Sequence, residues 1–142
     1  MTTKEMFELS GAINDRLNDY RNEMASAIIV LMNERGVNEI DLRKAREECE
    51  KKGLLDVAKR LEDIANDHIV DMYYKDGETL ACHIDRVIIR DMGFVYCVCS
   101  GVQDPGFETT ENVRTSNIYT TISVMELVTE YFDIIDEMAS RQ

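Results

Sequence analysis

The chain has no tryptophan, one proline and only two histidines among its 142 residues, and it has no long hydrophobic run. A membrane span needs roughly 18 or more consecutive apolar residues. The apolar run at 27–32 stops at Asn33, Glu34 and Arg35. Residues 1–8 carry charge at once and lack the apolar core of a signal peptide, so a cytoplasmic protein is expected, with no membrane partner. Two histidines fifteen residues apart, His68 and His83, make no zinc signature. The seven glycines, at 11, 36, 53, 77, 93, 101 and 106, form neither a phosphate-binding loop nor a dinucleotide fingerprint. No cofactor is implied.

Basic residues are also scarce. Sixteen Lys and Arg face 28 Asp and Glu, giving a net charge of −12. Such a field repels a phosphate backbone, which argues against direct nucleic-acid binding. The acidity is uneven: residues 102–142 carry half of the net charge.

Length and a 44% hydrophobic content fit one globular domain spanning residues 1–142. Four cysteines are present, Cys49, Cys82, Cys97 and Cys99. Cys97 and Cys99 are two apart rather than in a Cys-x-x-Cys motif, so they read as small apolar residues of a buried sheet.

The first helix is marked by Ile13, Leu17, Tyr20, Met24, Ala27 and Leu31, spaced alternately by four and three, with Met6 and Leu9 extending the stripe backward. Gly36 reads as its stop. At roughly 28 residues it would be about 42 Å long. The stripe is expected to pack within the chain; a homodimer through this helix is the alternative. Residues 37–53 predict a second, highly charged helix with Asp41 as its cap. A third begins near Leu54, with Val57, Ala58, Leu61 and Ile64 inward.

Residues 69–74 could continue that helix, but adjacent β-branched and tyrosine residues before Asp76-Gly77 favour a strand. A two-residue turn there would pair Tyr73 with Leu80, Asp71 with Cys82 and Ile69 with Ile84. Strands are also expected at 80–90 and 94–100, joined by a turn at Asp91-Met92-Gly93, with Arg86 on the same face as Ile84. Residues 101–112, containing Asp104-Pro105-Gly106, read as a flexible loop. A fourth strand is expected at 113–122. The final helix is expected to start at a capping box, Ser123 with Glu126, and a staple from Ile122. The fold class is therefore α+β: three N-terminal helices, a small antiparallel sheet of three or four strands, and a C-terminal amphipathic helix.

Two functional readings follow. The first is a small acidic, non-catalytic interaction or regulatory protein that meets a basic patch on a partner protein. Its binding residues would be Glu126, Glu130, Asp133, Asp136 and Glu137, which crowd one side of the last helix. The second is a hydrolase-like enzyme or metal-binding protein centred on His83 and Asp85. These lie two apart on one strand, where a carboxylate could orient an imidazole as a general base.

Overall fold

The computed structural model describes residues 1–73, 77–90 and 93–141. Their order is α1 (Thr3–Glu34), β1 (Glu39–Asp41), α2 (Leu42–Lys51), α3 (Leu55–Asp67), β2 (Ile69–Tyr73), β3 (Thr79–Arg90), β4 (Phe94–Gly101), β5 (Glu108–Asn112) and α4 (Ile118–Ser140). The fold is α+β, with three N-terminal helices, an antiparallel sheet and a C-terminal helix.

The sheet has five strands rather than three or four. β3 is its longest member and pairs with β4 along one edge, and β5 lies beyond β4. The other edge of β3 is shared by two short strands: β1 pairs with residues 86–88 and β2 with residues 79–83. Three residues at 39–41 are too few to carry a periodic signal, which is why β1 was not legible.

Local chemistry sets several boundaries where the sequence places them. α1 is followed by Gly36 at φ 66°, a left-handed turn that side chains disfavour. Asp41 caps α2 by accepting a hydrogen bond from the Lys44 N–H at 3.1 Å. Residues 69–73 are strand, not helix.

The β2–β3 register is one residue away from the expected pairing. Tyr73 opposes Thr79, Met72 opposes Leu80, Val70 opposes Cys82 and Ile69 opposes His83. A one-residue slip exchanges the two faces of a strand pair. Val70 and Met72 therefore share the core face with Cys82 and Ile84, not the face of His83. Residues 74–76, which include Asp76 of the expected turn, lie outside the described residues, as do Asp91 and Met92 of the next turn.

A second correction concerns β3 itself. Ile84 pairs with Cys99 and Arg86 with Val98, so Asp85 is an extra residue, a β-bulge. The bulge restarts the alternation. Cys82, Ile84 and Val87 point into the core with Val95, Cys97 and Cys99, whereas Arg86 turns outward to Glu39 at 3.3 Å. Simple parity had put Arg86 beside Ile84.

The segment after β4 differs most. Within the expected loop at 101–112, residues 108–112 are β5, an edge strand. The chain doubles back tightly because the Gly101 N–H donates to Phe107 and the Phe107 N–H to Asp104. Gly101 is required here: a Cβ would collide with the Asp104 carbonyl oxygen. The strand expected at 113–122 does not form. α4 starts at Ile118, with Asn117 as its cap accepting from the Tyr119 N–H at 2.8 Å, so Ser123 and Glu126 lie inside the helix rather than at its start. Thr120 and Thr121 favour strands intrinsically but are buried. The Thr121 hydroxyl donates to the Val113 carbonyl at 3.1 Å, so tertiary hydrogen bonding overrides propensity.

Helices cover one face of the sheet. Ile28 and Met32 of α1, Val57 and Leu61 of α3, and Val124, Leu127 and Val128 of α4 meet the strand residues in one core. α1 presents an unexpected face to it. Its buried residues, Ala25, Ile28 and Met32, lie roughly a quarter of the helix circumference away from the stripe through Ile13, Tyr20 and Ala27. At 32 residues the helix is also longer than expected, roughly 48 Å. Residues 1–16 are all exposed. Half of α1 projects beyond the domain.

Candidate functional site

His83 and Asp85 are brought onto the same strand but committed to different partners. The His83 Nδ1–H donates to the Ala65 carbonyl in the last turns of α3, at 3.2 Å. The Asp85 carboxylate, displaced by the bulge, accepts from the Ser100 hydroxyl. The two form no hydrogen bond with each other among the described residues. Asp85 lines a recess of about 200 Å³ with Asp41, Arg43, Lys44 and Arg86, where opposite charges are mixed and no thiol is present.

The cysteines are buried and unpaired. Burial pushes the Cys49 and Cys82 thiols up. Cys97, hydrogen-bonded beside it, and burial do the same to Cys99. A thiol held protonated in the core is a poor nucleophile and a poor metal ligand. Among the described residues, no group of three or more His, Cys, Asp or Glu is placed to hold a metal ion. Nor is any described helix long and apolar enough to cross a membrane.

The five acidic residues of α4 do lie on its outer surface, yet four of them face groups of their own chain. Asp136 accepts both ends of the Arg35 guanidinium, with Nη2 to Oδ2 at 2.7 Å. Glu137 accepts from Arg60 at 2.5 Å and from Arg141 at 3.3 Å. These arginines hold both carboxyls below the ordinary carboxylate range. Glu130 accepts from His68 Nε2 at 2.9 Å, and Glu126 lies 3.9 Å from His68 Nδ1. Asp133 is exposed, forms no ion pair of its own among the described residues, and sits in the field of Arg35.

The His68 arrangement was missed in the sequence because it joins residues 62 apart. His68 follows α3 directly, where the chain turns into β2, and is 5% exposed. Two glutamates one helical turn apart reach it from α4. The cluster ties α3 and β2 to the last helix.

The projecting half of α1 is the other feature that sequence reasoning assigned differently. Met6, Leu9, Ile13 and Tyr20 are 58%, 50%, 51% and 56% exposed, and Phe7 is exposed beside them. The stripe runs on into an apolar groove of about 390 Å³ between α1 and the start of α4, lined by Tyr20, Met24, Ala27, Ile118 and Ile122. The helix is joined to the domain at this level by Arg21, whose Nη1 donates to the Ser116 carbonyl at 2.8 Å. The available signal was length: an amphipathic helix this long exceeds what the domain can cover. Glu8, Asp15 and Asp19 lie on the flank away from the stripe and form no ion pairs among the described residues.

No family model, no curated protein and no solved structure matches this chain.

Proposed function

We propose that this chain acts by contact rather than by catalysis, as an acidic interaction domain whose docking element is the projecting half of α1. One observation carries the reading. A continuous stripe of large apolar side chains, Met6 to Tyr20, stands in solvent at half exposure or more apart from Leu17, and its groove continues onto α4. Contiguous apolar surface of this kind marks interaction sites. A helical segment of this length, interrupted by Gly11 and without tertiary packing, is only marginally stable in water, so a partner would also hold it helical.

Charge adds a second preference. Carboxylates that form no ion pair among the described residues, Asp133 on α4 and Glu8, Asp15 and Asp19 on α1 among them, favour a protein partner that brings a basic patch, with electrostatic steering of the encounter. A cytoplasmic location belongs with this proposal and is supported by four unpaired thiols. The enzyme reading has less support, because His83 and Asp85 are spent on Ala65 and Ser100.

A photocrosslinking residue at position 13, introduced in the native cell, tests the docking reading against the same residue at Lys59 on the exposed side of α3. Adducts heavier than the chain itself are expected from position 13 and not from position 59. Adducts confined within one chain at position 13 would contradict it.

A further inference from the structure

We propose that the outer edge of β5 takes up an extended segment of a basic protein partner as a further strand of the sheet. This edge is not part of the α1 stripe, and only the basic character of the partner rests on the reading above. The Gly101 N–H donates to the Phe107 carbonyl and the Val113 N–H to the Val95 carbonyl, both at 2.9 Å. In an antiparallel ladder, residues that bond to the neighbouring strand alternate with residues whose N–H and C=O point away. Thr109 and Glu111 therefore bond to β4, and the main-chain groups of Glu108 and Thr110 face outward. Those outward groups have no hydrogen-bond partner among the described residues.

Such a row is a template for strand addition, in which main-chain hydrogen bonds give affinity and side chains give choice. The opposite edge of the sheet is split between the short strands β1 and β2, and β2 shares a recess with the start of α4. β5 keeps one register with β4 over all five residues, without the bulge or proline that blunts other edges. Its charges select the occupant. Glu108 and Glu111 are three residues apart and so stand on opposite faces of the strand. Glu108 borders the recess that Arg43 and Lys44 also line, yet neither glutamate forms an ion pair among the described residues. A second copy of this chain, with its net charge of −12, would add repulsion at such an edge. A strand with Lys or Arg at two positions three apart sets one cation beside each glutamate, and opposite charges facing across a strand pair are favourable.

Amide exchange of the full chain, read residue by residue by NMR with and without the peptide acetyl-Thr-Lys-Val-Thr-Lys-Thr-amide, is the test. In the chain alone, the Glu108 and Thr110 amides should exchange fast and those of Thr109 and Glu111 slowly. The peptide should slow the first pair, and added salt should weaken that effect. A counterpart with both lysines replaced by glutamate should bind at least about fivefold more weakly. Thr110→Pro removes one outward N–H without touching the β4 ladder, so it should abolish the slowing at Glu108 while the thermal midpoint stays nearly unchanged. Glu108→Lys combined with Glu111→Lys keeps every main-chain group and should abolish the preference for lysine. No slowing at Glu108 and Thr110 with about 1 mM peptide overturns strand addition. Equal binding of the two peptides overturns the basic occupant. In either case adducts from position 13 would still carry the α1 docking reading, and their absence would remove that reading alone.

Discussion

Arg35, at the C-cap of α1, grips the carboxylate of Asp136 in α4 with both ends of its guanidinium and lies 4.9 Å from the ring centroid of Phe132, one turn earlier on the same helix. A cation at the C-terminal end of α1 is also favourably placed in that helix's dipole. The contact fixes one end of α1 to the domain. Arg21 and Ser116 fix its middle, and residues 1–16 stay exposed among the described residues. The acidic side of α4 is thus largely an internal latch, joining α1 through Asp136, α3 through Glu137 and the start of β2 through Glu130.

These latches should make the protein acid-sensitive. Asp56, Asp136 and Glu137 are held below the ordinary carboxylate range, by Arg141, Arg35 and Arg60 respectively. A carboxyl that is more acidic when folded contributes stability that is present above its unfolded value, about pH 4, and is lost as pH falls through the folded value. Thermal midpoints measured across pH should therefore decline below about pH 4. Arg35→Gln should decline less steeply there, because Asp136 no longer differs between the two states; an unchanged slope would remove Asp136 from the account.

The start of α4 gives a sharp contrast between two caps. Asn117→Ala should cost about 1 kcal/mol in chemical denaturation, since the Tyr119 N–H loses its acceptor. Ser123→Ala, inside the helix, should change stability by less than about 0.5 kcal/mol. The reverse order would restore the capping box suggested by the sequence.

Much of the architecture was legible because it is written locally. Asp41, Gly36 and the β-branched pair Ile69-Val70 each act within a few residues, and they mark α2, the end of α1 and β2 correctly. What was illegible depends on distant groups. The bulge at Asp85 is a matter of how β3 meets β4, and it alone decides which way Arg86 points. Thr121 is helical because Val113 accepts its hydroxyl hydrogen. The stripe on α1 was visible, but which face of a helix meets the core is settled by Ala25, Ile28 and Met32 against the sheet. For the candidate site, the acidic residues of α4 were found while their partners, Arg35, Arg60 and His68, were not, because no spacing rule links residues so far apart.

The two faces of α1 should respond differently to truncation. Ile28→Ala removes a fully buried side chain and should cost about 2–5 kcal/mol. Ile13→Ala should stay within about 0.5 kcal/mol when urea denaturation is run dilute enough to keep the chain monomeric. A large loss at position 13 under those conditions would mean that the stripe packs on its own domain.

Thiol reactivity should follow the fold. With all four cysteines buried, iodoacetamide should leave the native protein nearly unmodified over minutes near neutral pH and alkylate all four sites once it is unfolded. Rapid labelling of one native cysteine, read by mass spectrometry, would show that it is not in the core described.

The most direct test of the central claim, that α1 projects a docking face rather than a core face, is amide hydrogen exchange over residues 6–17 of the dilute chain, alone and with a captured partner. Exchange should be fast in the chain alone and slow when the partner is bound, while residues 25–32 stay protected throughout. Strong protection of residues 6–17 in a dilute monomer would contradict the account, because those amides would then be held by the chain's own domain.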